Sequence, residues 1–182
     1  MTIHTLPPLA ATVRVWDLGV RFFHWTLVAS MVTAYVSTEH IDWVHKGAGY
    51  LALGLVAFRV VWGFAAANPY ARFQQFVPGP AKLAGYLGAL AQGREPRHLG
   101  HNPAGAVMIV YLLLATLTIA VSGWMMTTDA WWGNETVETV HTLTVEISIW
   151  AVALHVAAAV VTGLRHRENL VLAMITGRKR RD

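Results

Sequence analysis

The chain has 182 residues, of which 55% are hydrophobic and only 13% are charged. Because a soluble domain carries about 25% charged residues, this composition indicates a protein that lies in a lipid bilayer. One domain, 1–182, is expected at this length, and the absence of cysteine excludes disulfides, iron–sulfur clusters and covalently attached c-type haem. The basic residues do not form one face, so nucleic acid is not an expected partner. The first twenty residues lack an apolar run, so a cleavable leader is not expected.

Four apolar segments predict four transmembrane helices, since a bilayer core of ~30 Å requires about 20 apolar residues in helical form. The segments cover about residues 22–38, 43–67, 103–126 and 140–164. A long connection rich in proline and glycine joins the second span to the third, and its middle, 80–90, is expected to form an amphipathic helix on the membrane surface. The predicted fold class is all-α, an integral membrane four-helix bundle.

The distribution of Lys and Arg predicts the orientation of this bundle. With four spans, both termini and the long connection lie on one side, which then holds thirteen of the fourteen basic residues. Both termini are therefore expected in the cytoplasm. The opposite side carries Lys46 and five acidic residues: Glu39, Asp42, Asp129, Glu135 and Glu138. These acids either solvate the outer loops or form a docking surface for a basic partner.

Four histidines lie at matched depths in the predicted spans. His141 and His155 are fourteen residues apart on the fourth helix, so both rings project from one face and are separated by ~21 Å along the axis. His24 lies near the inner end of the first helix and His45 near the outer start of the second, which pairs His24 with His155 and His45 with His141. Two such pairs are what two haems between helices require, because an imidazole on each side of the porphyrin saturates the iron and favours electron transfer.

Three further polar residues have open roles. Arg59 is fourteen residues from His45 and is expected at the depth of the inner pair, where it either binds haem propionates or extends to the cytoplasmic interface. His101 precedes the third helix and either lines a quinone or propionate site or caps the helix. Glu146 lies inside the fourth span, where a carboxylate either transfers protons or bonds a neighbouring helix.

Five stretches of the chain resemble the prokaryotic cytochrome b561 family, which includes the cytochrome b subunits of nickel–iron hydrogenases. They are 16–25 (WDLGVRFFHW), 45–50 (HKGAGY), 99–106 (LGHNPAGA), 140–142 (VHT) and 154–157 (LHVA). Each motif is short, but their order and the fourteen-residue histidine spacing together are specific. The resemblance implies that His24, His45, His141 and His155 are the axial ligands of two non-covalent b haems in a bacterial inner membrane.

The resemblance also implies a membrane quinone as one partner in a respiratory chain. Two places are candidates for the quinone site: the inner haem edge beside His101 and the outer loop around Trp131 and Trp132. The other partner differs among members: a periplasmic cytochrome c, a hydrogenase small subunit or superoxide. Acidic outer loops favour a basic cytochrome c over the superoxide anion, and the compact chain argues against a hydrogenase. The predicted function is electron transfer between the quinone pool and a periplasmic redox protein. The alternatives are a superoxide:quinone oxidoreductase, which would be an enzyme, and a haem-free transporter.

Overall fold

The computed structural model describes residues 12–181 and is mainly helical; the first eleven residues, which enter the prediction about a leader, lie outside the described residues. The helices are α1 (Leu18–Ser37), α2 (Asp42–Ala65), α3 (Phe73–Phe76), α4 (Pro80–Ala91), α5 (Pro103–Met126), α6 (Glu135–Arg165) and α7 (Leu170–Thr176), with a 3-10 turn at Pro69–Ala71. Two short strands, β1 (Thr12–Arg14) and β2 (Arg178–Arg180), pair in antiparallel orientation. The all-α prediction did not include this pair of strands.

Three of the described helices, α2, α5 and α6, are long and apolar enough to cross a membrane. Only 11% of the most apolar stretch of α6 is buried inside the protein, and soluble monomers rarely expose apolar surface on that scale. The predicted second, third and fourth spans therefore correspond to helices of membrane-spanning length and composition. Helix α1 has 20 residues, enough for ~30 Å, but Arg21 and His24 make it less apolar, so the first span stays a prediction.

Helices α1 and α6 begin before the predicted spans because a polar cap precedes each apolar run, and α2 covers Asp42–Ala65 where 43–67 was predicted. Helix α1 begins four residues before the predicted span, because the Asp17 carboxylate accepts a hydrogen bond from the Val20 backbone N–H at 2.8 Å. Helix α6 begins five residues early, because the Asn134 side chain accepts from two backbone N–H groups, each at 3.1 Å. Helix α5 has the predicted bounds, and α4 matches the predicted surface helix to within one residue.

The long helices pack in chain order: α1 lies along α2, α2 contacts α5, and α5 contacts α6. At the contact of α1 with α2, the buried Ser30 hydroxyl donates to the Ala48 carbonyl at 2.6 Å. Small side chains at such a contact let two helices approach closely, which is the usual packing of membrane helices. This arrangement places the histidine-bearing helices α1, α2 and α6 in one assembly with α5.

The two ends of the described chain meet beside the start of α1, at the end of the helices that is predicted to face the cytoplasm and is called the inner end below. The backbone N–H groups of Val15 and Trp16 both donate to the Gly177 carbonyl, at 2.9 and 3.1 Å. Gly177 has φ 79°, and an added Cβ would lie 2.5 Å from the Trp16 carbonyl oxygen, so only glycine fits there. A buried apolar cluster surrounds this contact and contains Val15, Trp16, Val20, Ala66, Ala71 and Ala173. Both ends of the described chain therefore lie on the same side of the bundle.

Candidate functional site

The structure brings the rings of His45 of α2 and His141 of α6 next to each other in an edge-on arrangement. Their ring centroids are 6.3 Å apart and their planes are inclined by 67°. Metal–imidazole bonds are about 2.0 Å long, so two imidazoles bound to one iron from opposite sides have centroids separated by about 6 Å. The observed spacing therefore fits a shared iron between the two rings.

Hydrogen bonds fix the orientation of both rings in this outer pair. His45 Nδ1 lies 2.9 Å from the Ala34 carbonyl oxygen, and His141 Nδ1 lies 2.9 Å from that of Ile119, with the Ser122 hydroxyl at 3.1 Å. Because a carbonyl only accepts, each Nδ1 donates its proton, and each Nε2 keeps a free lone pair. Metal-bound histidines commonly donate their other N–H to a carbonyl in this way. Both rings are thus in the tautomer that a metal ligand requires.

A glycine allows His141 to pack against α5. An added Cβ on Gly123 would lie 3.1 Å from His141 Cε1 and 3.4 Å from its Nδ1. Both distances are shorter than an ordinary carbon contact of about 3.5–4.0 Å. The absence of a side chain at Gly123 therefore sets the position of the His141 ring.

The inner pair, His24 of α1 and His155 of α6, lies close enough for its rings to interact electrostatically. Both rings are half-buried, and His24 packs edge-on against Trp25 with centroids 5.0 Å apart. His24 Nδ1 is buried and has no hydrogen-bond partner within the described part of the chain. The structure therefore brings together both histidine pairs, but it anchors the inner pair less firmly than the outer one. Ligation of haem by these four histidines stays a prediction.

His101 is a third histidine near the inner pair. Its ring packs on Trp16, with centroids 4.5 Å apart. Although the ring keeps some accessible surface, the surrounding protein desolvates it and lowers the pKa of His101 to about 3, and the positive charges of Arg59 and Lys179 act in the same direction. His101 is therefore a neutral imidazole at physiological pH, within electrostatic range of His24 and His155.

Arg59 is held inside the protein, with 2% of its surface exposed. Its guanidinium donates to the Ala71 carbonyl at 3.1 Å and lies 4.6 Å from the centroid of the Phe73 ring, a cation–π distance. The side chain thus binds the long connection between α2 and α5 and does not extend to the surface. Its contact with a haem propionate stays a prediction.

A buried ionic network, absent from the sequence-based expectations, joins three segments at the inner end. Glu168 pairs with Arg97 at 2.9 Å and with Lys179 at 3.4 Å, and Arg165 pairs with Glu95 at 2.9 Å. Burial opposes ionisation of Glu168, but the hydrogen bond from Arg97 and the charge of Lys179 outweigh it and lower the pKa of Glu168. Lys179 is only 6% exposed. In the sequence, this network is indicated only by the acids Glu95 and Glu168, each of which lies in an otherwise basic segment.

The outer end exposes acidic and aromatic side chains. Lys46, the one basic residue there, pairs with Asp42 at 2.8 Å, so it does not offset the other outer acids. Trp131 and Trp132 are 43% and 76% exposed. Glu146 is exposed on the apolar surface of α6, and its function stays open.

Comparison with known proteins identifies the family of the chain. The family described as prokaryotic cytochrome b561 matches residues 15–177, a range that contains both histidine pairs. A probable Ni/Fe-hydrogenase B-type cytochrome subunit from Rhizobium leguminosarum bv. viciae is 22% identical over an alignment of 215 positions, which covers 92% of this chain and 89% of that relative. No solved structure matches the chain. The chain therefore belongs to the prokaryotic cytochrome b561 family and is a b-type membrane cytochrome of electron transfer, with b-type haem as its cofactor.

Proposed function

We propose that the protein holds two non-covalent b haems and transfers electrons between the membrane quinone pool and a periplasmic redox protein. The outer haem binds between His45 and His141, and the inner haem between His24 and His155. The observation that carries this proposal is the 6.3 Å spacing of the outer rings, with each Nδ1 directed to a backbone carbonyl. Haem iron with two imidazole ligands supplies reversible one-electron chemistry.

The chain's own residues orient and enclose the two sites. At the outer site, the carbonyls of Ala34 and Ile119 accept from the two Nδ1 atoms and so leave both Nε2 lone pairs free to bind iron. At the inner site, Arg59 provides a buried positive charge that favours binding of the haem propionates. His101, neutral at physiological pH, adds an uncharged polar group beside the inner pair without adding to the positive charge of Arg59.

The proposal includes a bundle of four spans in the bacterial inner membrane, with both termini in the cytoplasm. The pairing of β1 with β2 supports an even number of spans, because it brings the two ends of the described chain to one side. The basic residues concentrate on that side, as the positive-inside rule requires. The length of α1 supports its role as the first span.

The proposed periplasmic partner is a basic cytochrome c. The outer loops carry five acids, and the charge of Lys46 is already paired with Asp42, so the outer face attracts a positively charged protein. The same field repels superoxide, which makes the superoxide:quinone reaction the less favoured alternative. The name of the Rhizobium relative introduces a nickel–iron hydrogenase as a second candidate partner.

The test is a reduced-minus-oxidised absorption spectrum of the detergent-purified protein, with haem quantified per chain. We expect two low-spin b haems, and about one haem in each of the variants His45→Ala and His24→Ala, because each variant removes a ligand from one site. His98→Ala is the matched control, since the His98 ring bonds only the nearby Pro96 carbonyl at 2.9 Å among the described residues, and it should retain both haems. Wild-type protein without haem, after expression with adequate haem supply, would refute the proposal and favour the transporter.

A further inference from the structure

A groove of about 490 Å³ runs between the start of α1 and helix α7. It is lined by Leu18, Arg21, Phe22, Trp25, Thr26 and Ile175. Leu18 and Phe22 are 73% and 60% exposed, so the groove is open to the apolar surroundings of α1. Its volume lies within the range of about 300–1,000 Å³ that is usual for small-molecule sites.

The Trp25 side chain lies between this groove and His24 of the inner pair. The Trp25 indole lines the groove, and its ring centroid lies 5.0 Å from that of His24. The indole N–H donates to the Met174 carbonyl at 3.3 Å, which fixes the ring between α1 and α7. A molecule in the groove would therefore be separated from His24 by a single aromatic ring. This proximity favours a redox-active occupant over a phospholipid.

The polar groups of the groove suit a ring that carries carbonyl oxygens. The Arg21 guanidinium is held at the groove because it donates to the Ile175 carbonyl. Arg21 and Thr26 are hydrogen-bond donors among walls that are otherwise mostly apolar. A quinone ring has two acceptor oxygens for such donors, and its isoprenoid tail can leave through the side of the groove that is open to lipid.

We propose that this groove binds the head group of the membrane quinone. The inference deepens the proposed function and rests on it, since it places the quinone site that the function requires. This groove is different from the two places that the sequence suggested for the quinone site. His101 packs against Trp16 and is surrounded by protein, and the pair Trp131–Trp132 lies at the outer end.

The experiment is photolabelling of the full-length protein in nanodiscs with a short-chain azido-benzoquinone, followed by mass spectrometry of the labelled peptides. The blocking variant is Ile175→Trp, which places a large ring in the groove. Its matched control is Leu172→Trp, on the same helix, 52% exposed and outside the groove lining. We expect labelling within residues 18–26 and α7 in the wild type and in the control. In Ile175→Trp it should fall about tenfold or more, the effect of losing about 1.4 kcal/mol of binding free energy.

Competition distinguishes a quinone site from a lipid site. Unlabelled decyl-benzoquinone should displace the label, whereas added phosphatidylglycerol should not; the reverse result would identify a site for anionic lipid and overturn the proposal. Labelling confined to the segment around His101 or to the outer loop would also overturn it. A haem spectrum of each sample separates the two proposals. Two b haems without labelling of the groove would refute only the quinone site, whereas absence of haem would refute the proposed function.

Discussion

The substitution Gly123→Ala should weaken the outer haem site without changing any ligand. The added Cβ would lie 3.1 Å from His141 Cε1, whereas carbon atoms pack best at about 3.5–4.0 Å. The ring must therefore move by ~0.5 Å, which also stretches its hydrogen bond to the Ile119 carbonyl. Metal–ligand distances tolerate deviations of only about 0.2 Å, and disturbed support of a ligand lowers metal affinity by about 10–100-fold.

The assay is titration of haem-depleted protein with haemin, followed by the Soret band, which reports the two binding steps. We expect the dissociation constant of one step to rise by about 10–100-fold in Gly123→Ala and the other to stay unchanged. Gly88→Ala is the matched control, because Gly88 lies in α4 and an added Cβ would meet nothing within 4 Å. Two unchanged binding steps in Gly123→Ala would refute the argument that the glycine sets the position of His141.

Three further predictions concern the ends of the bundle. Glu168→Gln should destabilise the protein by about 3–5 kcal/mol in thermal unfolding, because it breaks a buried ion network, whereas Asp42→Asn, at an exposed pair, should cost at most about 1 kcal/mol. Since burial lowers the pKa of His101 from 6.5 to about 3, its neutral ring should stabilise the fold above pH 6.5, and this contribution should decline as the pH falls toward 3. His101→Phe should flatten that part of the curve of melting temperature against pH, and an unchanged curve would contradict the assignment. Glu138→Lys, on the proposed periplasmic face, should slow electron transfer with the proposed basic cytochrome c by about tenfold at low salt. Lys82→Glu, a charge reversal on the proposed cytoplasmic side, should leave the rate unchanged in stopped-flow measurements.

Hydropathy and helical periodicity were sufficient to predict most of the helical framework. The bounds of α5 follow from Pro103 and the apolar run behind it, and the fourteen-residue spacing predicted that His141 and His155 share a face. The pairing of depths then predicted which histidines lie near each other, and the structure places His45 beside His141 and His24 near His155. The depth and the face of each histidine follow from local sequence, because the rise and twist of a helix fix them, and four spans packed side by side bring equal depths together.

Contacts between distant segments could not be predicted in this way. Lys179 is buried because its ammonium donates to the His98 carbonyl, 81 positions away in the chain, and no periodicity of the basic tail indicates that partner. Arg59 had two expected positions, and its bond to the Ala71 carbonyl depends on how the long connection folds back onto α2. The groove beside Trp25 likewise requires α7, a helix that lies beyond the last predicted span.

The pairing of β1 with β2 also constrains the order in which the protein assembles. Thr12 and Arg178, whose side chains meet across the two strands, are 166 positions apart. At a synthesis rate of about 5–20 residues per second, β2 is synthesised roughly 10–30 s after β1. The strand pair therefore forms after the long helices have been synthesised, and a chain truncated before β2 would leave β1, which leads into α1, without its pairing strand.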